Sequence, residues 1–284
     1  MSHNVGLTML PPRLYHYTDY EGLIGIIESQ TLWATDIGNL NDTTEIAYSR
    51  EMLGRLSEKL SAESEPSYAL NLVCMAASAM SISPTTPEMF VASLSDDEDN
   101  LSQWRGYASQ GHGFAISFDR ANLEEIALTQ GFTMVPILYD REEQEEHILQ
   151  ALAEAVHILR DWGDDPSNAP SPDQQVLSLG LGLTIALMFV KNSYFRDERE
   201  WRFIRLVVPG VWDQQALARE RNETKVLYEK IKFADGASGK TAIVEVVVGP
   251  LVTVSKEDKL RVFLDDAGFE NVSIRRSSVP LRGS

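Results

Sequence analysis

The sequence predicts an α+β chain, and three observations carry that prediction. Short runs alternate apolar with polar residues, as in Phe114–Phe118, where Phe114, Ile116 and Phe118 face one way and Ala115 and Ser117 the other. Helical stretches of unequal length separate these runs without a regular strand–helix–strand rhythm. No Walker or Rossmann glycine fingerprint occurs anywhere in the chain.

The elements follow in order. Leu14–Thr18 reads as a short strand and Asp19–Ser29 as a helix with Leu23, Ile24, Ile26 and Ile27 inward, capped by a Thr18/Glu21 box. Leu32–Thr35 is a second strand. Asn41 or Asp42 caps a longer helix to about Leu60, and Ser61–Ser67 is a polar break. Phe90–Leu94 is a strand running into the acidic turn Asp96–Asn100, then a short helix Leu101–Ala108, then the Phe114–Phe118 strand. Met134–Tyr139 is a further strand and Arg141–Trp162 an amphipathic helix. Residues 163–173 (GDDPSNAPSPD) read as a surface loop, not a domain boundary, so one domain spans 1–284. Val176–Val190 is an apolar helix; Glu200–Val208, Ala242–Val248 and Asn271–Arg275 are strands, with a helix at Lys256–Ala267.

Composition narrows the function. The 284 residues are 43% hydrophobic, enough for a packed core without disulfide or metal staples. With 42 Asp+Glu against 25 Lys+Arg the net charge is −17, which argues against general nucleic-acid or anionic-membrane binding. The one cysteine, Cys74, excludes an internal disulfide and a multi-cysteine zinc site. The histidines share no metal-ligand spacing, so no metal is expected. There is no secretory signal pattern, and the longest apolar run has 15 residues against the ~20 a membrane span needs. The expectation is a cytoplasmic chain.

Several residues could carry chemistry, each against a plainer reading. His16, at a strand end, can meet a ligand hydroxyl or simply satisfy backbone. Asn41-Asp42 with Glu45 reads as a helix cap, and Asp96–Asp99 as a solvated turn. Trp104 and Tyr107, three apart on a short helix, can wall a pocket for a flat ring or anchor the helix to the core. Period two puts Glu198, Glu200 and Arg202 on one side of a strand: a carboxylate pair for a developing cation, or a silent salt-bridge ladder.

In order along the chain, LYHYT, LWAT, LND..E, S...DN...W..YA, HGFAISF, E.EWR, VVVGP and S.VPLR resemble a bacterial family of unknown function over roughly residues 14–282. The layout also resembles, more distantly, the ADP-ribosyltransferase fold in its histidine–tyrosine–glutamate branch, shared by diphtheria-type toxins and poly-ADP-ribose polymerases. That resemblance implies split mixed or antiparallel sheets with flanking helices. It implies NAD as a substrate, with His16 on a ribose hydroxyl, Tyr107 stacked on nicotinamide, and Trp104 close by. Glu200 would stabilise the oxocarbenium, and Glu198 would position or deprotonate the acceptor. Ser93 or Ser95 stands where that branch has a first stacking aromatic, a departure that matches the serine of the arginine–serine–glutamate branch. Its first-strand Arg is absent unless Arg13 serves. The closing VPLR lies outside the transferase pattern, and Arg282 within it is either a phosphate contact or a surface arginine.

The expected function is therefore an NAD-consuming ADP-ribosyltransferase or NAD glycohydrolase, in the family context of a toxin or phage-defence effector. One alternative is a catalytically inactive module that senses a nucleotide or binds a protein through the same cleft. The other is a nucleic-acid-processing enzyme, against which the charge counts.

Overall fold

The computed structural model describes residues 10–39, 43–82, 88–164, 170–207, 216–221, 224–235 and 240–281. The fold is mixed α+β, built on one ten-stranded, mostly antiparallel sheet. Strand β1 (Arg13–Thr18) leads into α1 (Tyr20–Ser29), whose N-cap is Asp19. Its carboxylate accepts from the Gly22 N–H at 2.7 Å, which replaces the predicted Thr18/Glu21 box. Then come β2 (Thr31–Asp36), α2 (Thr43–Glu63) and α3 (Tyr68–Ile82). The proposed caps Asn41 and Asp42 lie outside the described residues.

The predicted break at Ser61–Ser67 is narrower, since α2 runs on to Glu63. No sequence period announces α3, because its apolar residues run nearly all round the helix. Next follow β3 (Glu88–Ser95), α4 (Leu101–Gly106), β4 (Phe114–Asp119) and α5 (Arg120–Leu128), the last capped by Asp119. Strand β5 (Thr133–Pro136) is shorter than predicted, and α6 spans Arg141–Asp164. The predicted loop 163–173 is cut short: Ser171 caps α7 (Pro172–Leu187) with Gln174 in a reciprocal capping box.

Strand β6 (Glu200–Val207) precedes a hairpin, β7 (Leu217–Arg221) and β8 (Thr224–Lys232). The hairpin was hidden because burial does not alternate cleanly along β8. A two-residue ladder, β9 (Ala234–Asp235) with β10 (Lys240–Thr241), leads to β11 (Ile243–Val248), α8 (Val254–Asp266) and β12 (Ser273–Arg276). No helix among the described residues is long and apolar enough to cross a membrane.

The sheet runs β12-β11-β4-β1-β3-β2-β8-β7, with β6 on the other edge of β3 and β5 beyond it. Among the described strands of this sheet, only β11 and β12 pair in parallel. Alternation along β3 feeds two cores. Phe90, Ala92 and Leu94 join the cluster beneath α1, α5 and α8, whereas Met89 and Val91 join the cluster built by α2, α3, α6 and α7. Ser93 and Ser95 continue the second face, where polar groups replace the apolar cover. That change of chemistry along one strand locates the site.

Candidate functional site

One edge of β3 pairs with β6 along its whole length, from Glu88↔Val207 to Ser95↔Glu200. The other edge is shared: β1 meets it through Tyr15↔Ser95, and β2 through Thr35↔Val91 and Asp36↔Phe90. Between those contacts β1 and β2 diverge, and a cleft of about 230 Å³ opens there. His16, Ser93, Tyr107, Glu198, Glu200 and Arg202 all line it. Five of the seven sequence-predicted site residues thus meet in one place.

The β3–β6 register puts Ser93 opposite Arg202 and Ser95 opposite Glu200, so these side chains share one face. Glu200 is buried, and its carboxylate is fully engaged. Oε1 accepts from the Ser93 hydroxyl at 2.5 Å and Arg202 Nε at 2.7 Å; Oε2 accepts from Arg202 Nη2 at 2.8 Å and Lys191 Nζ at 2.9 Å. A carboxylate has about four acceptor positions, and all are used. Burial alone would push its pKa up, but Arg202, then Lys191 and Ser93, outweigh it and hold the carboxyl at about 2.

Glu198 arrives differently from the predicted strand alternation. It ends a 3₁₀ turn, Ser193–Glu198, and Arg199 follows in the left-handed region at φ 47°. That reversal sends Arg199 out to Asp96 at 2.5 Å and turns Glu198 into the cleft. Glu198 Oε1 accepts from the Tyr107 hydroxyl at 3.0 Å and Oε2 from Lys191 Nζ at 2.5 Å, which leaves an acceptor position on each oxygen.

Tyr107 is 43% exposed and keeps a ring surface in the cleft. Burial of its hydroxyl end, and then the charge of Glu198, push the phenol pKa up, so it remains a donor at neutral pH. His16 Nδ1 lies 3.1 Å from the Ser93 carbonyl oxygen. A carbonyl only accepts, so Nδ1 carries the proton. Burial lowers the imidazole pKa, and in the neutral ring Nε2 is an acceptor.

Two candidates serve the site from behind. Trp104 is fully buried; its ring meets Tyr17 edge-on at 4.8 Å between centroids, and its indole N–H donates to Asp99 at 2.8 Å. It anchors α4 and offers no face to a ligand, because the helix turns Trp104 inward and Tyr107 outward. Ser95 is buried and donates to the Glu198 carbonyl at 2.7 Å, fixing the turn and not touching the cleft. Arg282 lies outside the described residues.

Sequence reasoning missed Lys191, which is buried and bridges both carboxylates. Its backbone is held by Gln144 of α6: Gln144 Nε2 donates to the Lys191 carbonyl at 2.6 Å and to Leu138 O at 2.7 Å, and its Oε1 accepts from Tyr48 of α2 at 2.8 Å. Among the described residues no group of three or more His, Cys, Asp or Glu side chains could hold a metal ion.

Residues 103–203 match the model of the family described as "Protein of unknown function (DUF2971)". The DUF2971 match covers about a third of the chain and contains Tyr107, Lys191, Glu198, Glu200 and Arg202; His16 and Ser93 lie before it. No curated protein and no solved structure matches the chain.

Proposed function

We propose that this protein cleaves the nicotinamide–ribose bond of NAD, on an ADP-ribosyltransferase-like fold, as an ADP-ribosyltransferase or an NAD glycohydrolase. One observation carries the reading: His16, Ser93, Tyr107, Glu198 and Glu200, scattered over 185 positions of sequence, line one cleft where the sheet divides. The cleft's 230 Å³ is below the ~300–1,000 Å³ common for small-molecule sites. It suits the nicotinamide-ribose half of a dinucleotide, with the other half along the open mouth.

In this reading the Tyr107 ring stacks on the flat pyridinium. His16 Nε2 accepts a hydrogen bond from a ribose hydroxyl. As the C1′–N bond breaks, its electron pair leaves with nicotinamide, which becomes neutral, and C1′ gains oxocarbenium character. The ionised carboxylates stabilise that charge through space. A ribose hydroxyl reaches Glu200 directly only by replacing Ser93, the one uncharged donor on it. Glu198, with open acceptor positions, is placed to take the proton of the attacking nucleophile. With water, the products are nicotinamide, ADP-ribose and a proton. With a side chain or base, the ADP-ribosyl group is transferred.

A second reading is favoured by the saturated Glu200 and by the balance of two carboxylates against Lys191 and Arg202: a nucleotide-sensing or protein-binding module without turnover. The deciding experiment follows free nicotinamide from NAD, with and without cell lysate as a source of acceptor, for wild type and Glu198→Gln. The expected result is release by wild type and a loss of at least about 100-fold in the variant, with little change in Tm. A rise in Tm with NAD but no release in any condition supports the module instead. Neither release nor an NAD-dependent Tm removes NAD cleavage and NAD sensing together, and leaves protein binding as the reading of the cleft.

A further inference from the structure

The wall that presents Tyr107 is a helix that cannot stand alone. Helix α4 has six residues, well under the ~12–15 at which an isolated helix becomes even marginal. Its position must come from outside contacts: the N-cap Asn100 donates to the Asp197 carbonyl at 2.5 Å and Tyr107 to Glu198 at 3.0 Å, and a second set converges on Asp99, just before Asn100. Asp99 Oδ1 accepts from the Trp104 indole at 2.8 Å and the Ser277 hydroxyl at 2.5 Å. Oδ2 accepts from the Ser278 N–H at 2.7 Å and its hydroxyl at 2.8 Å. One carboxylate therefore ties α4 to a segment nearly 180 residues later.

That segment is the S.VPLR motif, which the proposed chemistry leaves unused. It begins where Ser277 N–H donates to Val248 O at 2.8 Å, beyond the end of β12. Val279 packs on the small cluster of Tyr15, Tyr17, Trp104, Ala108, Ala115 and Val247 that supports α4 from beneath. Leu281 closes on Gly111, where even a Cβ would stand 2.5 Å from its Cδ2. The tail thus touches the beginning of α4, its buried Trp104 and the turn that follows Tyr107. None of its residues lines the cleft, although Tyr15 and Tyr17, in the cluster under Val279, do.

We propose that Asp99 and the segment Ser277–Leu281 form a strap that positions the Tyr107 wall, so that docking of this segment against α4 sets ligand affinity in the cleft. Asp99 is a positioning residue here, and it acts through Trp104 and α4. The functional consequence rests on the reading of the cleft given above, whereas the strap itself does not.

Amide hydrogen exchange tests the strap directly, comparing wild type with Asp99→Ala and with the milder double change Ser277→Ala/Ser278→Ala. Exchange across residues 101–108 should accelerate at least tenfold in both variants, while α5 and α6 keep wild-type protection. Where nicotinamide release is measurable, the KM for NAD should rise five- to tenfold and kcat should fall less than twofold, because the carboxylates stay in place. Unchanged exchange at 101–108 in the double variant overturns the strap, as does acceleration spread evenly over the protein. If Asp99→Ala fails to fold, the double variant decides alone. Should wild type release no nicotinamide, the functional reading falls, and the exchange pattern still decides the strap.

Discussion

Glu200 shows how far a single residue's role depends on what surrounds it. The sequence allowed either a catalytic carboxylate or a silent ladder, and the structure makes it the buried partner of both Arg202 and Lys191. Substituting it is therefore not the innocent test of turnover that the bare sequence suggests. Glu200→Gln should cost about 3–5 kcal/mol at pH 7, because the buried Arg202 loses the carboxylate it meets through two nitrogens and Lys191 loses one of its two. The carboxyl titrates at about 2 in the folded chain against an ordinary 4.5, so its ionised form contributes about 3 kcal/mol. With a depressed folded pKa, that contribution is complete above pH 4.5 and is lost as pH falls toward 2. Urea unfolding at pH 7 and pH 3 checks this: the drop between them should be about 2 kcal/mol smaller for Glu200→Gln than for wild type. Equal drops would remove the depressed pKa. His16, Tyr107, Glu198 and Glu200 were legible because chemistry-bearing types stood beside strand signals. Lys191 was not, because a lone lysine closing an apolar run reads as a solvated helix end. Only the chain path that Gln144 pins carries it inward.

At the scale of elements, the strands lining the cleft were readable from alternation, whereas the devices that join them were not. The HGFAISF and VVVGP motifs show why. Their glycines stand where backbones touch: a Cβ on Gly113 would lie 2.2 Å from Thr18 O and 2.9 Å from the Ala108 backbone, and one on Gly249 would lie 2.5 Å from Gly111 O. A motif advertises such a glycine, but no local pattern says which distant backbone it admits. The same holds for α5 and the β7–β8 hairpin, fixed by what they cover more than by their own periodicity. Gly113→Ala should force β1 and the end of α4 apart and destabilise the fold by about 1–3 kcal/mol. Gly25→Ala, inside α1 with nothing within 4 Å of the new methyl, should stabilise it by about 0.5–1 kcal/mol. Chemical denaturation of the two variants side by side separates crowding from helix propensity; similar losses in both would discount the close approach.

Across the whole molecule, the cleft lies at a seam between two apolar cores, and its rigidity depends on whether they unfold together. One cluster sits under α1, α5 and α8, and the other among α2, α3, α6 and α7, with the β3–β6 ladder belonging to both. Phe90 and Phe203 face one core while Val91 and Ile204 face the other, so neither core can open without exposing strands that the second needs. A two-residue contact between β2 and β3 and a single pair between β1 and β3 could not enforce this coupling; the eight-pair ladder can. Calorimetry should therefore show one transition for the 284-residue chain, with calorimetric and van't Hoff enthalpies equal at about 200 kcal/mol near 60 °C. Two resolved transitions would mean that the ladder fails to join the cores. The cleft would then be a hinge between separately stable halves, and ligand should raise the Tm of both transitions by bridging them.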